Sequence, residues 1–374
     1  MSYEDSIGVV FDIGSQWAKA GFAGESAPRA VFQSTVGRFR KPGLTDGFPE
    51  VYCGREAILK RGVSQLTWPV QEGLIEDWEE MEKLWHHTFY KELMVAPEES
   101  RVMHAVHPLV PERHKEQMAE ILFETFAVNS IYLAQSPALV VHASGRTSGV
   151  VWENGFACCY AAPVFEGFPL KHSIITSPIT GQAITKGLQS LLSNIGYSFT
   201  TAIEIELLER IKAEICYVAE DYEEELSFKK SGGDSKVRYE LPDGQHVLLD
   251  QERFQCPEVL FRPALQGFSC PSIVDDICKC ISRCDMDFQG MFFDNIVISG
   301  GTSQFTGIEH RLTRELALRP RLAGSGGAVA AAAFAHAAWG GGAILAELRS
   351  ARGRWMSSGE YEDGGAGRVH HKFF

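Results

Sequence analysis

The chain has 374 residues, 45% of them hydrophobic and 22% charged, and its net charge is −13 at pH 7. That length excludes one small core and predicts two lobes, each open to subdivision. The excess of acid excludes a nucleic-acid surface, which needs a basic stripe to meet phosphate, and the apolar content is that of a soluble globular protein.

The first predicted element is an apolar strand, Val9-Val10-Phe11, that stops at Asp12-Ile13-Gly14-Ser15, with Lys19 following. His86 and His87 read as packing or surface residues rather than metal ligands, as do His370 and His371. Apolar residues at helical spacing predict a helix over 118–126. Ser136-Pro137 predicts the start of another, with Ser136 as N-cap and Pro137 at the first helical position. A second apolar strand, Val150-Val151-Trp152, also ends in acid-x-Gly, at Glu153-Asn154-Gly155-Phe156. Residues 203–218 predict a helix with Ile205, Leu208, Ile211, Ile215 and Val218 on one face.

The acid run 220–225 reads as a solvated helix face. Two strands, 237–240 and 246–249, flank the turn Leu241-Pro242-Asp243-Gly244-Gln245. Cys270, Cys278, Cys280 and Cys284 lie close together without a paired C-x-x-C framework or a histidine at ligand spacing. Nine cysteines and no signal peptide are read as reduced thiols in an intracellular compartment. A third buried strand, over 293–299, runs into Gly300-Gly301-Thr302. The alanine- and glycine-rich stretch 323–345, interrupted by His336, predicts a buried helix with flexible glycine-rich ends rather than a membrane span.

Alternating strands and helices favour an α/β architecture. A buried strand that stops at an acid and a glycine is a way to build a phosphate clamp. Glycine lets backbone N–H groups approach phosphate oxygens, and the acid holds a divalent cation through its water shell. Two such turns grip a nucleotide from both sides, and the third strand-to-glycine turn strengthens the expectation of a nucleotide cleft.

These segments resemble actin. So do Ala27-Pro28-Arg29-Ala30-Val31-Phe32, residues 81–90, Ala143-Ser144-Gly145-Arg146-Thr147, residues 197–201 and the tail 355–374, so the resemblance covers essentially the whole chain. It implies an actin-like (ribonuclease H-like) ATPase fold of the α/β class, with two duplicated lobes forming four subdomains around a nucleotide cleft. The outer lobe is then 1–143 with 337–374, of which 34–68 is a small subdomain. The inner lobe is 144–336, with 181–269 as its small subdomain.

The resemblance also assigns a site for ATP or ADP with Mg²⁺. Asp12, Gly14, Ser15 and Lys19 match the first phosphate loop, but Ile13 stands where the family has asparagine and Gln16 where it has glycine. In the second loop Gly155 is kept, Glu153 and Phe156 stand for two aspartates and Ala157 for a glycine. Asp12 and Glu153 are thus the metal positions. On the nucleoside side Gly181, Lys212, Gly300, Gly301 and Thr302 match, and Gln304 replaces a methionine. Ala213 stands for a glutamate, Glu209 for an arginine and Ala335 for the lysine beside adenine. The glutamine that orients the attacking water in the family aligns with Ser136, next to Gln135, and the assisting histidine aligns with Tyr160.

Filament-forming features depart as well. The loop between Arg40 and Cys53 is two residues shorter, with Leu44 and Phe48 as apolar plugs, and Glu72 stands for the methylated histidine. Gln266 replaces a leucine in the plug segment 265–268, and Glu4 and Asp5 are what remains of the acidic tip. The groove at the base, near Gly145, Phe165, Ile344 and Leu345, stays apolar and suits docking of a partner helix.

The expectation is therefore a divergent actin-like cytoskeletal protein acting as a structural subunit of a larger assembly, with a degraded ATP site and little or no hydrolysis. The alternative is a polymerising divergent actin with ATP-regulated filaments. A metabolic kinase on the same fold would need a catalytic base, and no aspartate here matches that role. Expected partners are proteins, itself or conventional actin among them, with no direct nucleic-acid or membrane contact. The expected location is cytoplasm and cytoskeleton, with nucleus and ciliary axoneme as alternatives.

Overall fold

The computed structural model describes residues 6–39, 50–230, 236–319 and 336–373. Spatial contacts divide the chain into two compact units, Met1–Ser148 with Val164–Lys171 and His336–Phe374, and Gly149–Pro163 with His172–Ala335.

The first unit is built on a six-stranded sheet in the order Met356–Ser357, Ser130–Gln135, Ser100–Val106, Ile7–Ile13, Trp17–Phe22, Ala30–Gln33. Ile7–Ile13 is parallel to Ser100–Val106 and antiparallel to Trp17–Phe22. Ser100–Val106 and Ser130–Gln135 are buried along their whole length, as strands covered on both faces must be. Part of that cover is the helix Ala337–Glu347, which packs against the helix Ser136–Ala143.

Gly340, Gly341 and Gly342 lie inside this helix, which corrects the expectation of a flexible glycine-rich end on the C-terminal side of the stretch. A Cβ on Gly341 would sit 1.8 Å from the carbonyl oxygen of Leu139, and one on Gly342 would sit 2.9 Å from Val10 Cγ1. Glycine is there so that two helices can touch backbone to backbone. Trp339, just before these glycines in the helix, donates its Nε1–H to the Val10 carbonyl at 3.1 Å. Residues 323–335 of the stretch fall outside the described residues, as do Glu4, Asp5, Leu44 and Phe48.

A three-stranded sheet, Val51–Cys53, Val36–Phe39 and Ser64–Thr67, carries the short helix Gly54–Leu59 in the same unit. Glu72 sits with Gly73 at the tip of the hairpin Val70–Gln71 and Leu74–Ile75, both at positive φ (50° and 81°). The helix foreseen over 118–126 is α-helical as Glu112–Glu120 and widens to a π-helical turn over Ile121–Thr125. The second helix starts one place earlier than foreseen. Gln135, in extended conformation, is the N-cap, so Ser136 is the first helical residue and Pro137 falls inside the first turn, where its missing N–H costs nothing.

In the second unit Gly149–Asn154 is parallel to Ile296–Ser299 and lies beside the strand that begins at Cys159, whose Tyr160 and Ala161 pair with Thr176 and Ile175. Phe293 and Asp294 belong to the helix Met286–Asp294 rather than to the strand. The predicted helix over 203–218 is Ala202–Ile215, opened by a capping box between Thr201 and Glu204. Its buried face is Leu208, Ile211 and Lys212; Ile205 is 39% exposed, and Val218 lies past the helix, buried next to the bridge between Tyr217 and Thr306. A charged side chain therefore occupies a place that apolar periodicity alone would not assign.

The acid run opens the helix Tyr222–Lys230 with Glu223 and Glu224 exposed, while Glu225 accepts the Tyr217 hydroxyl at 2.7 Å. The hairpin Val237–Glu240 and His246–Leu249 forms with Gly244 at φ 81° in its turn. Gln266 turns inward and donates to the Cys256 carbonyl at 3.1 Å. None of the nine cysteines is in a disulfide.

Candidate nucleotide site

In the first unit the strand Ile7–Ile13 delivers Asp12 opposite Lys19 on its antiparallel neighbour. That register makes them a cross-strand pair, and Lys19 Nζ donates to Asp12 Oδ2 at 2.9 Å with both side chains about a fifth exposed (20% and 17%). Gly14 turns the chain tightly: its N–H donates to the Trp17 carbonyl at 3.0 Å. The Ser15 hydroxyl accepts the Gly73 N–H at 3.3 Å, so the hairpin tip that carries Glu72 is tied to the loop. Gln16 is half-buried, and its carbonyl accepts the Ser34 N–H at 2.9 Å. Gln135 and Ser136 lie at the end of the strand Ser130–Gln135, 7% and 8% exposed.

In the second unit the strand Gly149–Asn154 places Glu153 at its end, and Glu153 Oε2 accepts the hydroxyl of Tyr160 at 2.5 Å. Tyr160 is 1% exposed and packs with Ala162 and Ile174, so its hydroxyl is held from behind by apolar contacts. The turn that follows is closed by Gly155 N–H donating to the Cys158 carbonyl at 2.8 Å. The carbonyls of Gly155 and Phe156 then accept the N–H groups of Gly181 and Gln182, at 2.9 and 2.8 Å. Those are the first two amides of the helix Gly181–Asn194, and the Thr180 hydroxyl accepts the amide of Ala183 at 3.3 Å. A helix N-terminus is a ready anion site because its first amides lack partners. Here the protein's own loop supplies them. Gly181 is needed for this approach, since a Cβ there would lie 2.9 Å from the Gly155 oxygen.

The third glycine turn is fixed to the second loop. Gly300 has φ 89°, and a Cβ on it would lie 2.2 Å from the Asn154 oxygen. Asn154, fully buried, donates to the Ile179 carbonyl at 2.8 Å and accepts the Thr302 hydroxyl at 3.1 Å. Gln304 Nε2 donates to Ser303 Oγ at 3.3 Å, and Gly301 is open on its Cβ side. Glu153, Gly155, Tyr160, Gly181 and the 300–304 turn are thus brought together by direct bonds within one unit.

Lys212 is buried and donates three hydrogen bonds, to the Gly181 carbonyl at 2.9 Å, Thr185 Oγ1 at 2.7 Å and Glu209 Oε2 at 2.6 Å. Glu209 Oε1 in turn accepts the Thr185 hydroxyl at 2.5 Å. The acid that stands where the family has arginine is therefore the counter-ion of the matched lysine. Sequence reading registered the replacement but not the pairing. The signal was present, because Glu209 and Lys212 are three residues apart on a helix and such residues share a face.

Compared with family models, the chain matches the one described as actin over residues 4–374.

Proposed function

The chain belongs to the actin family, and from that premise we propose that it is an actin-like structural subunit of a larger assembly, with a weakened adenine-nucleotide site and little or no hydrolysis. The fold is the actin-type α/β fold, and the family binds ATP or ADP with a divalent metal. One observation carries the proposal. Each charged side chain aligned with the nucleotide is already satisfied inside its own unit: Lys19 by Asp12, Lys212 by Glu209 and Thr185, and Glu153 by the Tyr160 hydroxyl.

The residues fit the family's cofactor in part. The glycine turns at Gly14, Gly155 and Gly300-Gly301 suit close backbone approach to phosphates, and Asp12 and Glu153 are carboxylates of the kind that hold a hydrated cation. The groups for turnover do not fit. Ser136 is short where a glutamine would orient water, Gln135 is the helix N-cap, and Tyr160 is committed to Glu153. Docking is supported by the helix end at Ile344, which is 49% exposed, and by Leu345, which lines a cavity with Phe168 and Phe373. The partners are proteins, and the place of action is the cytoplasm with its cytoskeleton.

The test is nucleotide content after gentle purification with Mg²⁺, quantified by chromatography of the denatured protein. Near one ATP per chain supports a cleft that binds without turning over. Mostly ADP, together with concentration-dependent pelleting in ATP, overturns the proposal in favour of a hydrolysing, filament-forming actin.

A further inference from the structure

The helix Glu112–Glu120 carries Glu112 and Glu116 four residues apart, which puts both carboxylates on one face, about one turn from each other. His370, from the short helix Val369–Lys372, lies across them. Its Nδ1 is 3.0 Å from Glu112 Oε2 and its Nε2 is 2.7 Å from Glu116 Oε1. An ionised carboxylate only accepts hydrogen bonds, and a neutral imidazole has a single N–H to donate. Both contacts are satisfied together only when the ring carries two protons. Once one proton leaves, a nitrogen lone pair faces a carboxylate oxygen at hydrogen-bond distance, and a charge-assisted bond becomes a repulsion.

This clamp is part of what fixes the segment 366–373 to the first unit. Val369 and Phe373 are buried, and the buried Lys115 donates to the Phe373 carbonyl at 2.6 Å and to Glu112 Oε1 at 3.1 Å. Lys171 Nζ lies 3.6 Å from the same Glu112 oxygen. On the segment itself the other charged or titratable groups are Arg368, His371 and Lys372, and Lys372 is paired with Glu360 Oε1 at 2.8 Å. Hydrogen bonds to Glu116 and then Glu112 raise the His370 imidazole above its ordinary 6.5, against a smaller lowering by burial.

We propose that His370 is a proton-operated latch, which holds the segment 366–373 on the helix Glu112–Glu120 while the imidazole is charged and loosens it when the proton leaves. The sign follows from where the proton is bound more tightly. The closed form has the raised value, so the attachment is at full strength below about 6.5 and is lost as pH rises through the closed-form value. The segment is tight in mildly acid solution and loose in mildly alkaline solution, and opening uncovers Val369 and Phe373.

The test is amide hydrogen exchange of the full chain at pH 6 and pH 8, read by mass spectrometry over 366–373 and corrected for the intrinsic pH dependence of exchange. In the wild type, protection of this segment is expected to fall several-fold from pH 6 to pH 8. His370→Gln carries no titrating charge and leaves protection low at both. Glu116→Gln has the opposite effect at pH 8: its amide donates to Nε2 while Nδ1–H donates to Glu112, so the neutral ring satisfies both contacts and protection stays high. Both positions are half-buried, so neither change opens the core. Wild-type protection that does not change with pH overturns the latch, as does an equal fall in His370→Gln or an undiminished fall in Glu116→Gln.

Discussion

Replacing Arg311 with methionine isolates the most completely buried ion pair among the described residues of the second unit. Arg311 is 3% exposed and Glu258 is fully buried. The guanidinium donates to Glu258 Oε1 at 3.0 Å and Oε2 at 3.3 Å, to the Ala219 carbonyl at 2.8 Å and to Glu315 at 2.9 Å. Methionine fills a similar volume but supplies none of these bonds. Glu258 would keep only Arg262 Nε, at 3.4 Å, and the Ala219 carbonyl would lose its bond from Arg311. Removing one partner of a buried pair costs about 3–5 kcal/mol, because the remaining charge stays desolvated. The double variant Glu258→Leu with Arg311→Met removes both charges and is expected to recover most of that loss.

The assay is urea unfolding of the two variants and wild type at neutral pH, with hydrogen exchange over 308–317 to localise the effect. Burial already raises the Glu258 carboxyl above its ordinary value, against the pull of Arg311. A carboxyl raised in the folded state binds its proton more tightly there, so stability falls as pH rises through the window above the ordinary value. Losing Arg311 widens that window, and the deficit of the single variant should shrink toward acid pH as Glu258 takes up a proton. A loss below about 1 kcal/mol, or a double variant as unstable as the single one, would refute the reasoning.

Asp276, buried on the helix Ile273–Ser282, has its carboxyl pushed from 3.8 to about 6 by desolvation, partly offset by the Ser177 hydroxyl. Its contribution makes stability fall as pH rises from about 4 to about 6, so Asp276→Asn should flatten that part of the pH–stability curve and gain up to about 3 kcal/mol at pH 7. An unchanged curve would show that the carboxyl is not desolvated. Glu209→Gln frees Lys212 from its counter-ion, and on the proposed reading ATP affinity rises several-fold in a fluorescent-nucleotide titration. Unchanged or weaker affinity counts against it. Gly341→Ala forces a Cβ to within 1.8 Å of the Leu139 oxygen, so a loss of about 3 kcal/mol or more in thermal or urea unfolding is expected. A variant of normal stability would mean that the two helices can move apart freely.

The sequence alone determined the elements whose local pattern and burial agree. The apolar strands Ile7–Ile13, Gly149–Asn154 and Ile296–Ser299, the hairpin around Gly244 and the acid-fronted helix Tyr222–Lys230 are of this kind, because alternation, turn residues and charge runs are local properties. The family was also legible, through long segments in order, and with it the positions of the candidate site.

Only the tertiary structure decided what those positions touch. Lys212 reads as a ligand contact in the chain, yet in space it is held by Gly181, Thr185 and Glu209. Tyr160 reads as a lost histidine, yet its hydroxyl holds Glu153. The glycines 340–342 read as flexible, yet close packing requires them at 341, against the Leu139 backbone, and at 342, against the Val10 side chain of the sheet. The ends of the helix at Gln135 and of the helix at Ile215 shifted for the same reason. Each outcome depends on which group, distant in sequence, arrives within hydrogen-bond or contact distance, and one-dimensional spacing holds no record of that.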